Sequence, residues 1–225
     1  MIDLHTWNTP NGKKISIALE EMGLAYKVHP VNIGKDEQFQ PSFLEISPNN
    51  KIPAIVDHET GDSVFESGAI LMYLGDKTGL FYSAERKTRI RIHEWLMWQM
   101  SAVGPMLGRA HYFLKYNPDK APFAEAWFSA EALRIYGILD RLLARQPFMC
   151  GDYSIVDMAT WPWTHGIERQ GHDPADYPNV VRWFASIRER PAVQRGVRLY
   201  RELRRQQLDD AAREVLFGTT QLERR

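Results

Sequence analysis

The 225-residue chain holds one cysteine, Cys150, which excludes an internal disulfide framework, a Cys-x-x-Cys redox pair and a cysteine-built zinc site. Any thiol chemistry must use Cys150 or a thiol borrowed from a ligand. An excess of charge of one sign is also missing: 28 basic side chains face 28 acidic ones, so neither charge-driven disorder nor general polyanion binding is expected. No apolar run approaches the roughly 18 residues that would cross a bilayer. Met1-Ile2-Asp3-Leu4-His5 has neither the basic segment nor the apolar stretch of a signal peptide, so a soluble, cytoplasmic protein without membrane association is expected. The seven histidines form no His-x-x-x-His pair, and His93-Glu94 lacks the second histidine of a zinc-protease helix, so no metal is expected. What the chain does have is ordinary globular composition, 44% hydrophobic and 25% charged, and enough length for one large domain or two small ones.

Hydrophobic period, more than composition, divides the chain. In residues 1–80, short strand-like runs at Ile2–Trp7, Tyr26–Ile33, Ile52–Val56 and Ser63–Phe65 alternate with helical segments, a βαβ-type signal. The first helix follows Thr9-Pro10-Asn11-Gly12. Ile15, Ala18, Leu19 and Met22 give it one apolar face, Glu20 and Glu21 point to water, and Gly23 ends it. Gly61 separates two short strands, and Glu66-Ser67-Gly68 opens a helix carrying Ile70, Leu71 and Leu74, which ends at Gly79. Residues 79–85 read as a linker.

From residue 86 to 208 strand signals vanish, and this part reads as all α. A helix is predicted from Lys87 to about Tyr116, kinked at Gly104-Pro105, and another from Ala121 to about Arg145 with Leu133, Tyr136 and Leu139 to Leu143 inward. Ser154-Ile155-Val156-Asp157 has the spacing of an N-capping box before a buried helix. Pro178 and Pro191 sit at helix starts. The tail, 209–225, lacks an apolar stripe and is predicted to be loosely packed or disordered.

Thr9-Pro10-Asn11-Gly12-Lys13-Lys14 places a hydroxyl and an amide where a strand ends and a helix begins. The unpaired N–H groups and positive dipole end of a helix suit an anion there, a thiolate included. Lowering a thiol's pKa by roughly two units requires about 2.7 kcal/mol. A helix terminus supplies at most about 2, and one hydrogen bond to the charge about 1.5 to 3. That sum suffices without a lysine or a metal. Thr9 as a plain helix cap is the alternative. Pro53, entering a strand, marks an edge, a loop or a cis turn; if cis, it would turn the N–H and C=O of Ile52 outward to pair with an extended peptide. Glu66-Ser67 puts an acid and a cap at a second helix N-terminus, suited to a ligand bearing both an amine and a carboxylate.

Taken together, Thr9 to Gly12, Ile46 to Asp57, Glu66 to Ile70, Gly104-Pro105-Met106-Leu107-Gly108, Ser154 to Asp157 and Trp161-Pro162-Trp163 give a chain that, from Met1 to about Arg205, resembles the glutathione S-transferase family. The finer likeness is to the bacterial nu class and its disulfide-bond reductases. The resemblance implies an α/β thioredoxin-like N-terminal domain, an all-α C-terminal domain and a homodimer. It implies that Thr9 and Asn11 contact the glutathione sulfur in place of the tyrosine, serine or cysteine of other classes. It further implies that Ile52, beside Pro53, pairs with the cysteinyl unit and that Glu66 and Ser67 hold the γ-glutamyl amine and carboxylate. Gln38 and Lys51 would lie near the glycyl carboxylate, and Arg134 would help hold a second glutathione.

Glutathione is then a cosubstrate, and two of its molecules, or one oxidised glutathione, would fill a site. One activated thiol would attack a substrate disulfide and the second resolve the mixed disulfide, with no sulfur from the protein. Cys150, ahead of the capping box, reads as structural. Two other readings are a transferase or peroxidase acting on electrophiles or organic hydroperoxides, with Phe113 or Trp163 in an aromatic cleft, and a non-catalytic binding or regulatory protein. The last would use residues 182–205, where eight arginines face Glu189 and Glu202. A solvated helix face is the plainer reading of that run, and no nucleic-acid partner is expected.

Overall fold

The structure is a computed structural model that describes residues 1–200 and 210–218. The chain forms two compact units, one made of Met1–Leu74 with the chain from Pro191 onward, the other of Gly75–Arg190.

The first unit is built on a four-stranded mixed sheet ordered β2-β1-β3-β4, with β1 at Ile2–Thr6, β2 at Tyr26–Pro30, β3 at Ala54–Asp57 and β4 at Ser63–Phe65. Helix α1 (Pro10–Glu21) connects β1 to its parallel neighbour β2, so the expected βαβ unit is present, while β3 runs antiparallel to both β1 and β4. Alternation fixes the register: Ile2, Leu4 and Thr6 of β1 are fully or almost fully buried, and Asp3 and His5 point the other way. On α1, Ile15, Ala18 and Leu19 are completely buried beside them. Proline at N1 starts this helix and Gly23, at φ +65°, follows its end. A one-turn helix α2 (Pro41–Leu44) contributes Phe43 to a small cluster with Val31 and Ala54, against which Ile46 and Ile52 pack. Helix α3 (Ser67–Thr78) follows β4 directly.

Helices from the far end of the chain complete this unit. α9 (Pro191–Arg198) lies on α1 so closely that a side chain on Gly196 would come within 2.9 Å of the Ile17 backbone. The contact is keyed by polar groups: Ser16 Oγ donates to the Gly196 carbonyl at 2.9 Å, Arg195 pairs with Glu20 at 2.6 Å, and the Tyr200 hydroxyl lies 3.0 Å from Thr6 Oγ1. Of the tail from Asp209, helix α10 (Asp210–Phe217) and Gly218 are described, with Ala212 against Gly34; Asp209 and 219–225 lie outside the described residues.

The second unit is helical. α4 (Arg86–Trp98), a π-helical turn at Gln99–Val103, α5 (Gly104–His111) and a second π turn at Tyr112–Tyr116 form one continuous run. The irregularity predicted at Gly104-Pro105 is therefore a π turn just before the proline, where a widened turn absorbs the missing N–H donor. On α6 (Pro122–Leu143) the buried residues are Ala132, Ile135, Tyr136, Leu139 and Leu143. Leu133, expected inward, is instead 55% exposed, since it sits a third of a turn from that 3–4 stripe.

α7 (Ile155–Thr164) begins with the predicted capping box, and α8 (Pro178–Arg188) completes the unit. Asp157 is wholly buried and accepts from the N–H groups of Met149 and Ser154, from Ser154 Oγ and from Trp183 Nε1. The arginine-rich stretch is not one basic face: Arg182 donates to the carbonyls of Leu143 and Gln146, Arg190 stacks over Tyr153, and Arg195 is held by Glu20 in the first unit. Arg201, Arg204 and Arg205 lie outside the described residues.

Among the described residues no helix is long and apolar enough to cross a membrane, and no group of histidine, cysteine, aspartate and glutamate could hold a metal ion.

Candidate functional site

The first unit carries a cleft where the N-termini of α1 and α3 meet the loop before β3. Thr9 caps α1: its backbone is extended and its Oγ1 accepts from the Gly12 N–H at 3.1 Å. Gly12 is needed at this point because a β-carbon there would fall 2.4 Å from the Trp7 carbonyl oxygen and 2.5 Å from Thr6 Oγ1. The helix end is thus pressed onto the end of β1, which fixes where its N–H groups point. Asn11, two residues past the cap, lines the cleft.

The facing wall is Ser47, Lys51, Ile52 and Pro53. Buried Ser47 donates to the Lys51 carbonyl at 2.8 Å, the Asn50 N–H donates to the Ser47 carbonyl, and the Ile52-Pro53 bond is cis. The Ile52 side chain is anchored in the cluster of Val31, Phe43 and Ala54, while neither its N–H nor its C=O is bonded to a backbone group of the described residues. Lys51 stands exposed at the rim, where partial desolvation pulls its ammonium pKa below the ordinary lysine value.

Phe65, Glu66 and Ser67 close the third side. Glu66 adopts φ +68°, a left-handed conformation that costs a non-glycine residue about 1–2 kcal/mol and holds it at the junction of β4 and α3. Ser67, nearly buried at the start of α3, accepts from Lys14 Nζ at 3.3 Å. Lys14 is 1% exposed. Burial lowers its pKa to about 7, and the neighbouring Glu66 carboxylate acts the other way.

One cleft therefore unites Asn11, Lys51, Ile52, Pro53, Glu66 and Ser67 of the residues singled out from the sequence, with Thr9 capping the helix from which Asn11 projects. Gln38 does not line it. That residue is buried on a 3-10 turn at Glu37–Phe39, its Oε1 without a hydrogen-bond partner among the described residues. Arg134 belongs to the second unit, on α6, where Nε and Nη2 grip Glu131 at 2.8 to 3.2 Å. Phe113, stacked on Phe128, and Trp163, set against Gly104 and Gly108, are in that unit too. So is Cys150, whose thiol pKa is pushed up to about 12, chiefly by burial and next by Asp157.

Sequence reasoning missed Ser47, Phe65 and above all Lys14. The signal for Lys14 was present: it stands beside Ile15 and four residues before Ala18, so it lies on the apolar stripe of α1.

Two family models match the chain, the glutathione S-transferase N-terminal domain over residues 2–76 and the C-terminal domain over 128–191. The chain belongs to the glutathione S-transferase family. Among its relatives, the disulfide-bond oxidoreductase YfcG of Escherichia coli is 49% identical over 199 residues, covering 86% of this chain and 93% of the relative. A glutathione transferase family member from Pseudomonas fluorescens, solved with two glutathione bound, is 41% identical, with TM-score 0.81 over 87% of this chain and 92% of its own. A Pseudomonas putida glutathione transferase, solved with one glutathione disulfide per subunit, is 39% identical with TM-score 0.81, covering 88% and 91%. The family and the fold read from the sequence are thus borne out.

Proposed function

We propose that this chain is a glutathione-dependent disulfide-bond oxidoreductase whose site takes two reduced glutathione molecules or one oxidised glutathione. The observation that carries the reading is the cleft itself, which sets two helix N-termini, a carboxylate and a lysine around the Ile52 N–H and C=O, neither bonded to a backbone group of the described residues, in a unit whose described residues hold no cysteine. The similarity to YfcG and to the two glutathione-bound structures supports it.

Glutathione would lie with its γ-glutamyl amine at Glu66, its α-carboxylate at Ser67 on the α3 N-terminus, and its cysteinyl N–H and C=O paired with Ile52 beside Pro53. The glycyl carboxylate would reach toward Lys51, with Gln38 nearby. The sulfur then meets the N-terminus of α1. A hydroxyl both accepts and donates, so Thr9, already accepting from Gly12, has its own proton for the thiolate, and Asn11 adds an amide donor. The thiolate attacks the substrate disulfide, forming a glutathione mixed disulfide and expelling one substrate thiolate. The second glutathione thiolate attacks the glutathione sulfur of that mixed disulfide, releasing the other substrate thiolate and oxidised glutathione. The support for Arg134 as the holder of the second molecule is the family resemblance; its Nη1 takes no part in its pair with Glu131.

The working unit in this reading is a homodimer, supported by family membership and by Ile90 and Met97, exposed seven residues apart on one face of α4. A cytoplasmic location follows because glutathione must arrive reduced. Calorimetric titration tests the stoichiometry: one oxidised or two reduced glutathione molecules are expected per chain, and Arg134→Ala is expected to weaken the second reduced molecule by about tenfold, the worth of one lost charge-assisted hydrogen bond. Saturation at one reduced molecule, unchanged by that substitution, would contradict it.

A further inference from the structure

Lys14 has no part in the scheme above, yet it is the buried ammonium nearest the cleft. Its Nζ lies 3.3 Å from Ser67 Oγ at the start of α3, and 1% of the residue is exposed. Ser67 separates it from the cleft that Ser67 and Glu66 line. The α-carboxylate assigned to Ser67 would therefore lie one hydroxyl away from the Lys14 ammonium.

We propose that Lys14 is a positioning residue that takes up a proton when that α-carboxylate docks on Ser67, so that glutathione binding is linked to protonation. The proposal rests on the site reading given above. In the free cleft the buried amine is desolvated and has Glu66 as its opposing charge, and burial brings its pKa down to about 7. The α-carboxylate arrives one hydroxyl from Nζ, whereas the ligand's ammonium meets Glu66, which makes no hydrogen bond to Lys14 among those described, so the nearer, negative charge prevails at Nζ and favours the ammonium. The folded, ligand-bound chain then binds more protons than the free one above about pH 7, so affinity falls as pH rises through that range.

Other groups face the same region. Lys13 precedes Lys14 on α1, Lys51 stands at the rim, Glu66 flanks Ser67, and from α9 and beyond, Arg195 and Tyr200 reach α1 but are engaged with Glu20 and Thr6. A control that alters Lys14 alone is therefore needed. Lys14→Arg keeps its charge across the whole range.

The probe is S-methylglutathione, whose blocked sulfur removes thiol ionisation, titrated calorimetrically into the full chain. At about pH 8, two buffers of different ionisation enthalpy are expected to give different heats, reporting net proton uptake on binding. Kd is expected to rise severalfold, at most tenfold, per pH unit above about 7. Lys14→Arg is expected to flatten that dependence, and Lys14→Met to flatten it while weakening binding about tenfold at pH 6.5. Equal heats in both buffers, with a pH profile that Lys14→Met does not change, would overturn the proposal and leave the site reading standing. Equal heats from the wild type alone overturn the proposal even if neither variant folds, and unequal heats are assigned to Lys14 by their loss in Lys14→Arg or Lys14→Met. Failure of S-methylglutathione to bind the wild type would overturn the site reading and the proposal together.

Discussion

Replacing Thr9 and Asn11 together by alanine is expected to lower kcat/KM for glutathione-driven reduction of a small disulfide by about 100- to 1000-fold, the scale seen when positioned donors are taken from a developing anion. Thr9 caps α1 and Asn11 stands in its first turn, and the Thr9 hydroxyl is fixed by the Gly12 N–H at 3.1 Å. Each donor to a charged sulfur is worth about 1.5–3 kcal/mol, whereas the helix dipole that the variant retains is worth at most about 2. Thr9→Ser in an otherwise wild-type chain is expected to keep most of the activity, because it keeps the hydroxyl. The double variant also loses a helix cap, a cost of about 1 kcal/mol that a melting curve reports separately. Activity within about threefold of wild type would remove these residues from the reaction.

The second large effect concerns stability. Asp157→Ala is expected to destabilise the helical unit by about 3–5 kcal/mol, because a buried carboxylate with four donors is removed and the donors are left behind. For a chain of this size that corresponds to a fall in Tm of roughly 10 °C. Trp183, whose Nε1 lies 2.8 Å from Oδ1 and whose ring is fully buried, gives a fluorescence signal local to the change. A Tm lowered by less than about 2 °C would mean that the donors find other partners and that the capping box is dispensable.

The parts of this protein legible in its sequence are those governed by short-range periodicity. The strand-like run from Ile2, the stripe Ile15, Ala18, Leu19, Met22 and the Ser154–Asp157 box each depend on residues close together in the chain, and each is present in the structure. Leu133 was misread because a hydrophobic residue carries no mark of the face it lies on, and only the spacing of Ala132, Ile135, Tyr136 and Leu139 sets the inner side. The π turn at Gln99–Val103 is a backbone adjustment to Pro105 for which periodicity has no signature. The cleft was legible in part through resemblance, since Asn11, Lys51, Ile52, Glu66 and Ser67 are far apart in sequence and only the fold gathers them. Lys14 was overlooked for a different reason. Its neighbour Lys13 is partly exposed, and a Lys-Lys pair at a helix start reads as solvent-facing until Lys14 is seen to be buried with its ammonium on Ser67.

The central claim is that glutathione is the sole source of sulfur, and turnover of a model disulfide by wild type and Cys150→Ser, coupled to glutathione reductase, tests it most directly. Burial raises the Cys150 thiol to about 12, so almost none of it is thiolate at neutral pH. The account predicts disulfide turnover in both proteins at rates within about twofold of each other, since the substitution removes no reacting group. Turnover by the wild type that disappears in Cys150→Ser, with the variant still folded, would make the protein's own thiol the nucleophile and contradict the account.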